Sequence, residues 1–243
     1  MIFHDYLSQA MVDYLTGTVS NYQRRVPNNL DRLVRTLRPG DVLLVEGNAR
    51  ISQIIMYMTQ SSWSHAAMYL GDALLRWGGP EADRALEAFG PEASQLLIES
   101  DLKTGVAVIP LSHYLEHNLR ICRPQGLRPE SLDRVLVEMF QHLGVHYDHR
   151  NTFDLARYLI PFHLVPRWFR RRSLYLGSSS SREIICSALI AKAFYRVGIT
   201  IQPPLQALAS GRGEPIQVRH PSYIMPRDFD LSANFQILKP PSN

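Results

Sequence analysis

The chain has 243 residues, of which 45% are hydrophobic and 20% charged, and it carries a formal net charge of +4. These values suit one globular domain with elaborations, or two small ones, and they exclude a chain too polar to fold. Two cysteines, Cys122 and Cys186, are too few for a disulfide framework and read as free thiols of a reducing compartment.

The opening stretch lacks a basic n-region and a long apolar run, and it carries Asp5 and Asp13. It predicts neither a signal peptide nor a membrane span, so the cytoplasm is the expected location. Residues 1–36 read as a helical packing extension, with Met11, Tyr14 and Leu15 at helical spacing and a break at Pro27-Asn28-Asn29. Asn29 is placed to cap a short helix through Leu33 and Val34. The rest, 37–243, reads as the main domain.

Pro39-Gly40-Asp41 predicts a turn and Val42 to Val45 a short buried strand. Ile51, Ile54, Ile55 and Met58 share one face of a helix. The runs HAAMYLG, LLIESD and GVAVIPL, which begin at His65, Leu96 and Gly105, predict an antiparallel meander. Residues 76–94 are expected as a long irregular excursion within it. One or two helical turns (LSHYLEHN) and a strand (LRICRP) follow. An amphipathic helix is predicted over Pro129–Leu143 and closed by Gly144, and a second over about Arg182–Val197 and closed by Gly198. The order of elements makes the class α+β, a small antiparallel sheet packed against helices.

Cys186 falls in the first turns of the last helix, after a serine loop. Unsatisfied N–H groups and the helix dipole there stabilise a thiolate, which suits a nucleophile. Cys122, inside a strand, has no such neighbour and reads as structural. A thiol nucleophile needs a base, and His65 opens its strand, held by the sheet yet at the edge of the core. The base needs an orienting partner. If the strands from His65 and Leu96 are antiparallel neighbours, Glu99 comes beside His65. Asp101 shares its face and is the alternative.

The stretches LRPGDVLLVEG, SHAAMYLG, LLIES, HYD, ICSALI and IMPRDFDLS occur in this order. Together they make the chain resemble the permuted papain-like (NlpC/P60 superfamily) hydrolases of the YiiX/YebB type. The resemblance implies a circularly permuted papain-like fold with the nucleophile at a helix N-terminus. It also implies a cysteine amidase or esterase in which His65, Glu99 and Cys186 match the family's histidine, polar residue, cysteine order. Ser64, Tyr147 and Asp148 are carried over as substrate-binding positions, with Tyr147 and the N–H of Cys186 as oxyanion donors. The stretch 153–181 departs from the pattern and reads as an inserted flap.

His142, His146 and His149 invite a metal reading, but Gly144 interrupts the shared helical face, so neither metal nor cofactor is expected. Arg167, Arg170, Arg171 and Arg172 form a basic cluster able to touch an anionic membrane from outside. No nucleic-acid-binding module surrounds them. The expected substrate is small and either peptide-like or lipid-like. The rival to an enzyme is an inactive membrane-surface or lipid-binding module on the same fold.

Overall fold

A computed structural model of the chain describes residues 13–19, 22–101, 104–145, 186–201 and 220–239. Helix α1 (Leu30–Thr36) is capped by Asn29, whose side chain accepts the Arg32 N–H at 3.0 Å, and it buries Leu33. A turn at Gly40 leads into β1 (Val42–Glu46), followed by α2 (Arg50–Thr59) and β2 (His65–Gly71).

The excursion expected over 76–94 is ordered. The end of α3 (Ala73–Trp77) runs into it, and it holds α4 (Pro80–Phe89) and a 3-10 turn (Gly90–Ser94). Pro80 fits the first turn of α4, and the helix is held by the small residues Ala82 and Ala85, which are buried one turn apart. Then come β3 (Leu96–Asp101), β4 (Gly105–Pro110), a 3-10 turn (Leu111–Tyr114) and β5 (Asn118–Pro124). Helix α5 (Pro129–Phe140) ends three residues before the predicted Leu143. After it follow α6 (Cys186–Tyr195), a 3-10 turn (Pro221–Tyr223), α7 (Pro226–Leu231) and β6 (Phe235–Leu238).

The strands form one six-stranded antiparallel sheet in the order β4-β3-β2-β1-β5-β6. Central β1 is buried on both faces, which is why its sequence reads as a continuous apolar run. Alternation along the strands feeds two cores. One face places Val42, Leu44, Ala66, Met68, Leu96 and Ile98 under α5, α6 and α7. The other places Leu43, Val45, Ala67, Tyr69 and Leu97 under α1 and the Leu111–Tyr114 turn.

Candidate active site

The β2–β3 ladder is short. It runs from Gly71 opposite Leu96 to Met68 opposite Ile98, with a register irregularity near Gly71, whose φ of 59° suits glycine. Beyond Met68 and Ile98, among the described residues, each strand pairs with its other neighbour: His65 with Val45 of β1, and Glu99 with Ala107 of β4. The end of the sheet is therefore split between β2 and β3, and the candidate residues stand at this split.

His65 Nε2 lies 2.9 Å from Glu99 Oε2. The carboxylate can only accept, so Nε2 carries the proton and Nδ1 is left for another partner. The sulfur of Cys186 also stands beside this ring, close enough to act on its charge. Cys186 belongs to the core beneath α6, whereas Glu99 and His65 follow the alternation of the opposite face. Sulfur and imidazole thus meet across the end of the sheet, where the ladder has stopped. The structure brings Cys186, His65 and Glu99 together, and Glu99 rather than Asp101 is the carboxylate that bonds the ring.

Burial by itself pulls His65 toward its neutral form. The sulfur of Cys186 and the carboxylate of Glu99, with their hydrogen bonds, outweigh it and hold the ring's pKa well above 6.5. Burial likewise favours the neutral form of Glu99, but the charge and hydrogen bond of His65, the Tyr114 hydrogen bond and nearby His113 hold its carboxyl below 4.5. An imidazole between a sulfur and a carboxylate is an arrangement able to activate a thiol.

The loop ahead of His65 is clamped. Trp63 Nε1 donates to Asp230 Oδ2 at 3.0 Å, Arg120 donates to the same carboxylate at 2.7 and 3.0 Å, and Arg227 donates to the Thr59 carbonyl. Asp228 caps α7 by accepting the Met225 N–H at 2.8 Å, and Phe229 is fully buried. The stretch IMPRDFDLS therefore serves to fix the entry to β2. Ser64 is buried, and its hydroxyl accepts the Gly47 N–H at 2.9 Å. It is committed to the backbone of the β1–α2 turn. Gly47 has no room for a side chain, because a Cβ there would strike the hydroxyls of Ser52 and Ser64.

One residue at this site escaped the sequence reading. Tyr114 donates its hydroxyl to Glu99 Oε2 at 2.5 Å and is itself buried. It arrives on the turn after Pro110, which crosses the second face of the sheet toward the split. A trace of it lay in the sequence as three ring residues, His113, Tyr114 and His117, within one short connection.

Tyr147, Asp148, the flap 153–181, the cluster Arg167, Arg170, Arg171 and Arg172, and His146 and His149 lie outside the described residues. His142 follows the end of α5, with Nδ1 2.7 Å from the Glu138 carbonyl. Among the described residues no three His, Cys, Asp or Glu side chains converge as a metal site. None of the helices they form is long and apolar enough to cross a membrane.

No curated protein matches the chain. Among solved structures it is similar in fold to the crystal structure of the metalloprotein yiiX from Escherichia coli O157:H7. The match has a TM-score of 0.51 and 15% identity, and covers 85% of this chain and 98% of that one. The family model for permuted papain-like amidase enzymes, YaeF/YiiX, C92 family, matches residues 36–174, a stretch that holds His65 and Glu99 and ends before Cys186. With more than half of its length matched, the chain belongs to this permuted papain-like amidase family.

Proposed function

We propose that the protein is a cysteine-dependent hydrolase of an amide or ester bond, with Cys186 as nucleophile, His65 as base and acid, and Glu99 as the group that orients the imidazole. The observation that carries this reading is the row in which His65 Nε2 lies 2.9 Å from Glu99 Oε2 and the Cys186 sulfur stands beside the same ring. Membership of an amidase family supports the reaction class and favours the amide. The substrate is a small peptide-like or lipid-like acyl compound.

In the first half-reaction His65 Nδ1 takes the thiol proton, and the sulfur attacks the acyl carbon. As the tetrahedral intermediate collapses, the proton passes from Nδ1 to the leaving nitrogen or oxygen, and a thioester remains on Cys186. In the second, His65 takes a proton from water, hydroxide adds to the thioester, and the acid leaves as the thiol is reprotonated. Throughout, Glu99 holds Nε2–H and stabilises the imidazolium.

The test is incubation of the full chain with a panel of acyl amides and acyl esters, followed by mass spectrometry of the intact protein. Wild type is expected to turn over at least one substrate and to carry its acyl group on Cys186. Cys186→Ala should remain folded and lose turnover and adduct together. Turnover by Cys186→Ala would end the proposal.

A further inference from the structure

We propose that Tyr114 is a positioning residue of this site, its hydroxyl fixing the Glu99 carboxylate that in turn orients His65. The proposal rests on the reading of Cys186, His65 and Glu99 as a triad.

A single oxygen, Glu99 Oε2, takes both His65 Nε2 at 2.9 Å and the Tyr114 hydroxyl at 2.5 Å. The two donors come from separate elements, β2 and the Leu111–Tyr114 turn. Between them they set the rotation of the carboxylate about its own axis, which one bond alone leaves free. Glu99 is 7% exposed, so water is a poor substitute for a lost donor.

The phenol ring is itself held. His113 meets its plane at 84° with centroids 4.9 Å apart, and His117 at 85° and 5.3 Å. Behind them, Asn28 Nδ2 donates to the carbonyls of Leu115 and His117 at 2.8 and 2.7 Å, pinning the turn to the N-terminal segment. Burial, then the charge and hydrogen bond of Glu99, push the phenol far above its ordinary range. Tyr114 therefore remains a donor at any pH the folded protein meets.

Among the described residues, the charged or titratable groups around Glu99 are His65 on β2, Tyr114 and His113 on the turn, His117 just after it, Cys186 on α6 through His65, and Asp101 farther along β3. Among the described residues, His65 and Tyr114 are the two that hydrogen-bond its carboxylate. Loss of the Tyr114 oxygen leaves that carboxylate one donor short and easier to protonate. His65 then loses the counter-charge that orients its ring, so the reactivity that the ring confers on Cys186 is expected to fall away at a higher pH than before.

The experiment is the rate of Cys186 alkylation by iodoacetamide as a function of pH, read by peptide mass spectrometry, so that no substrate need be known. Wild type, Tyr114→Phe, Glu99→Gln and the double variant are compared. Tyr114→Phe is expected to move the acid limb upward by about one pH unit, as for one lost hydrogen bond to a charged group. In the Glu99→Gln background the same change should move it no further, because the two residues act in series.

A limb that stays in place in Tyr114→Phe, even with a lowered melting temperature, overturns the proposal and leaves the triad intact. So does an equal shift in both backgrounds. A wild-type profile matching a free thiol overturns the triad, and the role of Tyr114 with it. Should Tyr114→Phe not fold, 3-fluorotyrosine introduced at position 114 keeps the shape and strengthens the donor. The limb should then move downward, and an unmoved limb again overturns the proposal.

Discussion

Cys122 sits in β5 opposite Val42 and is fully buried, with no basic side chain hydrogen-bonded to its sulfur among the described residues. Burial pushes its thiol up, the carboxylates of Asp230 and Asp41 push it further, and Arg120 only partly opposes them. Cys186 is also largely buried, yet its sulfur faces the ring of His65. Near neutral pH a limiting amount of a small thiol reagent is therefore expected to label native Cys186 and spare Cys122. Both should label in urea. Peptide mapping checks this, and preferential labelling of native Cys122 would contradict the assignment of roles. At this scale the sequence marks residue types well, because a cysteine at a helix start and a histidine at a strand start are local features. Tyr114 was hidden because its role depends on a turn that crosses the sheet and returns to a carboxylate fifteen positions away in the chain.

Elements meet through a few buried polar ties, and the tie at Asp41 joins β5 to the turn before β1 and to the end of α1. Asp41, 1% exposed, accepts Arg123 Nε at 2.9 Å and Nη2 at 2.6 Å, as well as the Arg38 N–H at 2.9 Å. Arg123 also donates to the last residue of α1, Thr36, at 2.6 Å. Arg123→Ala strands a buried carboxylate, so a loss of about 3–5 kcal/mol is expected. It should appear as a fall in the urea midpoint at unchanged slope, and removing the charge as well, in Arg123→Ala/Asp41→Asn, should return part of it. A single variant as stable as wild type would show that the tie is idle.

Strands were legible because runs such as Val42–Val45 and Leu96–Asp101 are apolar and bounded by turn residues. Helix α4 was not, since alanines hold it to the core while Leu86 faces water, which weakens the periodic signal. The antiparallel neighbours β2 and β3 could be anticipated from the meander. The early end of their ladder could not, because it belongs to the tertiary arrangement, in which α6 packs against both β2 and β3, and not to the pattern of either strand.

The site also couples to the stability of the whole molecule. His65 binds its proton more tightly when folded, with a pKa well above 6.5. Its contribution is fully present below that unfolded value and is lost as pH rises through the folded one. Glu99 has the opposite sign. Its carboxyl lies below 4.5 when folded, so its contribution is fully present above that unfolded value and is lost as pH falls through the folded one. The two overlap between 4.5 and 6.5. Because Cys186 also favours the charged ring, the carboxylate's share is isolated in a Cys186→Ala background. There, the stability lost on changing Glu99 to Gln is expected to peak within that window and to shrink on either side, traced by urea denaturation at a series of pH values. A loss that does not vary with pH would mean that Glu99 stabilises the fold by packing alone, and the ion pair would then contribute nothing to holding the split end of the sheet together.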